Sequence, residues 1–175
     1  MMNIRRKIAA AAFSAVILIA STVLTVSAAG NAADRKDISD CFGKSLSYAL
    51  ESYPDAVTQA GRCFTTHVLL GGVTWDNYQE VTMICNSETQ IINNVQFHGN
   101  INGYNIYGIY GGTDLCDAVD LLFEKGYNLD STNYYDGGGC EDCFVNEALN
   151  AVVNVRTDAG FKVTDVVMTP LNYWN

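Results

Sequence analysis

Proline is almost missing from this chain: there are two in 175 residues, Pro54 and Pro170. Charge is thin, at 17% of residues against 49% apolar. That balance excludes a disordered chain, which is polar, charged and proline-rich. Basic residues are the scarcer sign, 10 Lys+Arg against 19 Asp+Glu. This excludes a nucleic-acid partner, because phosphate binding takes clustered cations. No Asn-x-Ser/Thr acceptor occurs, so there is no glycosylation site of that type. Neither a G-x-S-x-G elbow nor an H-E-x-x-H zinc helix is present.

The first thirty residues read as an address. Arg5, Arg6 and Lys7 precede an uncharged apolar stretch, Ile8 to Val26, which closes on Ser27, Ala28, Ala29 and Gly30. A basic start, an apolar middle and a small-residue exit predict a secretory signal peptide over 1–28. An uncleaved anchor is the competing reading, since Ile8–Gly30 is long enough to span a bilayer. Cleavage leaves 7 basic and 19 acidic residues, a net charge of −12, with no membrane insertion expected afterwards. Residues 29–36 read as a loose leader and 37–175 as a single secreted domain.

All six cysteines follow the predicted cleavage site. An even number in an exported chain predicts three disulfides. The expected set is Cys63–Cys85 across a strand pair, Cys41–Cys116 by elimination, and Cys140–Cys143 as a local closure. One C-x-x-C and no nearby histidine is a poor zinc pattern, so no metal or cofactor is expected.

Residues 37–53 carry Ile38, Cys41, Ser45, Ala49 and Tyr53 at helical spacing, and Pro54 ends the run. Between 62 and 111, four β-branched and aromatic runs predict an antiparallel meander. A helix from Thr113 to Gly126, a short extended run from Tyr127, a helix from Cys140 to Val155 and a strand over 161–168 complete the pattern. The segments Lys125-Gly-Tyr127 and Ala159-Gly-Phe161 look loosely repeated. The predicted class is α+β: one antiparallel sheet of about four to six strands, with three helices packed mainly on one face, disulfide-stapled.

Three features carry candidate chemistry. Gly137-Gly-Gly-Cys140-Glu-Asp-Cys143 at a helix start would suit a thiol–disulfide oxidoreductase, because the helix N-terminus favours a thiolate. Glu141 and Asp142 oppose this, and the plainer reading is a structural bridge. His67 and His98 are the only histidines, and imidazole is the side chain that changes charge near neutrality. His98 shares strand parity with Asn94 and Gln96, a polar face, and could serve a small hydrolase as base. Finally, Asn102, Tyr104, Tyr107 and Tyr110, with His98, form an Asn/Tyr-rich stretch suited to an extracellular protein or carbohydrate ligand. The plainer reading there is ordinary sheet tyrosines. Asp114, Asp117 and Asp120 lack calcium-loop spacing and read as a solvated helix face. The leading expectation is a secreted, disulfide-stabilised binding protein without a catalytic centre.

Overall fold

The computed structural model describes residues 35–71, 81–99 and 103–172. The expected signal peptide, residues 29–34 of the leader and Asn102 lie outside the described residues. The chain divides into two units, Met1–Arg35 and Lys36–Asn175.

The elements of the second unit are β1 (Lys36–Asp37), a 3₁₀ turn (Ser39–Cys41), α1 (Leu46–Ser52), β2 (Val57–Ala60), β3 (Thr65–Leu70), β4 (Val81–Asn86), β5 (Ile92–His98), β6 (Tyr104–Asn105), α2 (Leu115–Glu124), β7 (Asn128–Tyr134), β8 (Cys140–Asn146), β9 (Ala151–Thr157) and β10 (Val163–Pro170). Eight strands form one antiparallel sheet in the order β2-β3-β4-β5-β10-β9-β8-β7. With 49% strand and 16% helix the protein is mostly β, not the three-helix α+β domain expected.

The sheet has a simple internal logic. A short helix followed by a four-stranded meander occurs twice, as α1 with β2–β5 and as α2 with β7–β10. The last strands of the two halves pair antiparallel, with Val166 opposite Phe97 and Met168 opposite Val95. Each meander alone would expose its last strand as a bare edge. Joining them covers both and leaves β2 and β7 outermost. The repeat expected around Gly126 and Gly160 is not this one, since its second member falls on β9 and β10.

The two predicted helices that differ do so for local reasons. Gly43 sits at φ +73°, a left-handed conformation that no right-handed helix contains. It splits the expected 37–53 helix into the 3₁₀ turn and α1. Ser45 then caps α1, its Oγ accepting from the Tyr48 N–H at 3.2 Å. The expected helix over 140–155 is the β8–β9 hairpin. Phe144, Ala148, Val152 and Val155 fit a 3.6-residue period, but Cys140, Asp142 and Phe144, then Ala151, Val153 and Val155, also alternate. The valines favour the second period. Asn146 and Asn150 make the turn: Asn146 Oδ1 accepts from the Leu149 N–H, and Asn150 takes φ +50°. By contrast, α2 stops at Gly126, φ +81°, as expected.

One sheet face is the core. Leu129, Phe144, Val153, Met168, Val95, Met83, Val68 and Thr58 are consecutive cross-strand partners over all eight strands. Ala49 of α1 and Ala118 and Leu122 of α2 pack into the same cluster. Phe123 meets Phe144 edge-on at 6.2 Å. Burying each large aliphatic or phenylalanine side chain here contributes roughly 1.5–3 kcal/mol.

The expected disulfides do not form, and all six cysteines are free thiols. Cys140 and Cys143 are three apart on one strand, so their side chains leave opposite faces of the sheet. Cys63 stands exposed in the β2–β3 turn, whereas Cys85 is buried on the core face, opposite Thr66. Cys41 is buried in the 3₁₀ turn, whereas Cys116 is exposed on α2.

Candidate functional site

The second sheet face carries no described helix, and the register gives it a mixture of polar and aliphatic side chains. One row crosses all eight strands: Val57, Leu69, Thr82, Gln96, Val167, Asn154, Cys143, Ser131. Next to it runs a charged row, Asn133, Glu141, Arg156, Asp165, His98. Side chains two strands apart along such a row touch the same solvent, and opposite charges directly across strands attract.

Two pairs within the charged row are hydrogen-bonded. Arg156 Nε donates to Glu141 Oε2 at 2.8 Å, and the Tyr135 hydroxyl donates to the same oxygen at 2.8 Å. His98 Nδ1 pairs with Asp165 Oδ1 across the seam between the halves. Burial pushes the Asp165 carboxyl up, but the hydrogen bonds from His98 and Thr164, with the charges of His98 and Arg156, outweigh it. Asp165 therefore titrates below the usual carboxylate range.

Across these rows and the neighbouring Ile84–Asn94 pair lies a groove of about 400 Å³, lined by Ile84, Asn94, Gln96, Val167, Asn154, Glu141 and Arg156. That volume suits a small-molecule ligand. Asn94 is 4% exposed, and its Oδ1 has no hydrogen-bond partner. The hydroxyls of Thr82 and Thr169, buried on the same face, are also unpaired. An unpaired buried polar group costs about 1–3 kcal/mol, so these atoms call for a hydroxyl or water to complete them. Ile84 is shared with a second hollow of about 770 Å³ at the β2–β3 hairpin, whose lining includes Gln59, Arg62, Cys63, Thr65 and His67. Gln59, His67 and Ile84 are cross-strand partners, so both hollows open on this face.

The other expected site residues fall elsewhere. Tyr104, on the two-residue β6, rests on Tyr53 at 6.2 Å. Tyr107 lies 5.7 Å from Tyr127, and their hydroxyls are 3.2 Å apart. Burial pushes the phenols of both Tyr104 and Tyr107 up. The segment they occupy is a tight turn, in which Asn105 Oδ1 accepts from the Gly108 N–H at 2.7 Å. Tyr104 and Tyr107 thus pack against the core cluster, and Tyr110 is half-buried beside the turn closed by Thr113. None of them joins His98 on the open face.

Cys140 is buried on the core face, its N–H donating to Thr157 Oγ1 at 3.0 Å. Cys143 lies on the open face beside Asn154. Burial and the charge of Asp130 push the Cys143 thiol up, against a hydrogen bond from Ser131 that lowers it. An exchanging dithiol needs two facing sulfurs and a favoured thiolate, and this arrangement supplies neither.

Among the described residues, no group of three or more His, Cys, Asp or Glu side chains is placed to hold a metal ion. None of their helices is long and apolar enough to cross a membrane. Comparisons with protein-family models, with curated proteins and with solved structures find no match to this chain.

Proposed function

We propose that this chain is an exported binding protein whose ligand lies on the open face of the eight-stranded sheet. The observation that carries the reading is the groove at the seam, where the carboxamides of Gln96 and Asn154 and the Glu141–Arg156 ion pair share the lining with the unpaired, buried Asn94 Oδ1. The export pattern of residues 1–28 and the acidity of the remainder agree with work outside the cell. The partner class is an extracellular protein or a carbohydrate. The surface differs from the Tyr104–Tyr110 stretch, whose rings pack inward.

The test is a thermal-shift screen of residues 29–175 against extracellular proteins and polar small molecules. A ligand that binds the folded state raises the melting temperature by mass action. The expected result is a shift that Gln96→Ala or Asn154→Ala abolishes. A ligand whose shift survives both, and whose amide protection maps to the helix-covered face, overturns the proposal.

A second reading is favoured by one observation, the His98–Asp165 pair. A carboxylate on Nδ1 fixes the imidazole tautomer and leaves Nε2 to take a proton from water. A small hydrolase built this way would cleave activated esters, and His98→Gln would abolish the turnover. Cleavage unchanged in His98→Gln removes this reading and leaves the binding one standing.

A further inference from the structure

The groove and the hairpin hollow share Ile84 and face the same way, so together they make a trough running across the strands. From Glu141 on β8 to His67 on β3 the trough crosses five strand gaps, roughly 24 Å at about 4.8 Å each. Resting on the open-face reading, we propose that the occupant is a neutral, extended oligosaccharide laid perpendicular to the strands.

Charge makes the first selection. Glu141 and Arg156 neutralise one another in the groove, and Asp165 stands next along the row. The one carboxylate lining the groove, Glu141, is already paired with Arg156, and the remaining charge along the trough is Arg62 at its hairpin end, so a ligand charged along its whole length meets no matching run of opposite charge. The polar lining makes the second. Asn94, Gln96 and Asn154 offer carboxamides, each both donor and acceptor, which match hydroxyls that are also both. The flat Glu141 and Arg156 groups accept and donate in pairs, the geometry of adjacent ring hydroxyls. Asn94 Oδ1, buried and unpartnered, specifically lacks a donor. A peptide strand is a poorer fit. The backbone groups of the central strands are consumed in their ladders, and peptide addition uses a sheet edge rather than a face. Tyr135, held by Glu141 and 42% exposed, supplies a ring against which a sugar can rest at one end.

The experiment is calorimetric titration of residues 29–175 with hexasaccharides of glucose (β-1,4, α-1,4 and β-1,3 linked) and of N-acetylglucosamine. Their disaccharides and a hexamer of galacturonate serve as controls. We expect at least one neutral hexamer to bind about tenfold or more tighter than its disaccharide, and the galacturonate hexamer to bind more weakly. Asn154→Ala should weaken binding about tenfold, the effect of one good hydrogen bond. Gln96→Ala is the second variant, should the first fail to fold. Absence of binding by every neutral hexamer overturns the saccharide proposal. If a protein ligand nevertheless shields the amides around Gln96 and Asn154, the open-face reading survives that failure. If every ligand found shields other residues, both fall.

Discussion

His98 and Asp165 are hydrogen-bonded partners on the two strands that join the halves of the molecule, one from each half. This histidine–carboxylate pair is thus also a clasp across the seam. Asp165 has its carboxyl depressed in the folded state. A depressed carboxyl contributes stability that is fully present above the unfolded value near 4 and is lost as pH falls through the folded value. Asp165→Asn should therefore lower stability by about 1 kcal/mol at pH 6. The gap to wild type should close in urea titrations at progressively lower pH. A gap that widens on acidification would contradict the pairing.

Thiol reactivity gives a direct reading of the free cysteines. Cys63 and Cys116 are exposed, Cys143 is half-buried, and Cys41, Cys85 and Cys140 are buried. Alkylation of the native protein at pH 7.5, followed by peptide mass mapping, should label Cys63 and Cys116 first and the buried three only on unfolding. An intact mass showing six unreactive sulfurs would oppose the structure.

Cys41 adds a signed alkaline effect. Burial, with Asp40 and Asp37 next to it, raises its thiol to about 11. A raised acid contributes stability below its unfolded value, near 9, and loses it as pH rises through 11. Roughly 2–3 kcal/mol should disappear across that window. Cys41→Ser should flatten the alkaline limb of the stability curve, which denaturant melts at pH 8 to 11 would record.

Phe144 is fully buried in the core row, on the strand next to the β7 edge, and meets Phe123 of α2. Phe144→Ala should cost about 3–5 kcal/mol. Phe123 is half exposed, and its replacement by alanine should cost about 1 kcal/mol. Comparable losses at both positions in chemical denaturation would mean that α2 packs differently.

Gly139 leaves no room for a side chain. It takes φ +84°, and a Cβ there would come within 2.3 Å of the Thr157 carbonyl oxygen and 2.7 Å of that of Asp158. Both are backbone atoms, so neither can swing away. Gly139→Ala should destabilise by upwards of about 2 kcal/mol, while Gly137→Ala, with open space around it, should be nearly silent.

Some of this was legible in the residues and some was not. The runs around Val68, Met83 and Phe97 announce strands through β-branching and alternation, and Gly126 announces the end of α2. The parity of Asn94, Gln96 and His98 marks a polar face before any partner is known. The other half of that face, Glu141, Asn154 and Arg156, stayed hidden because a helical period through Phe144, Ala148, Val152 and Val155 competes with alternation there. A helix would have scattered those three around its surface. The seam itself has no local signal: Asp165 and His98 are 67 residues apart, and only the tertiary pairing brings them together. Cysteine count misled for a related reason, since parity along one strand decides whether two thiols can meet, and an even number does not.

The seam has one more consequence. Each half is a helix with a local meander, and the groove straddles the join, taking Asn94 and Gln96 from one side and Asn154 and Arg156 from the other. A ligand in the groove would therefore act as a bolt through both. If the chain were severed between Gly112 and Thr113, the pieces would reassemble more tightly in proportion to occupancy, and the protein would become a reporter of its own ligand.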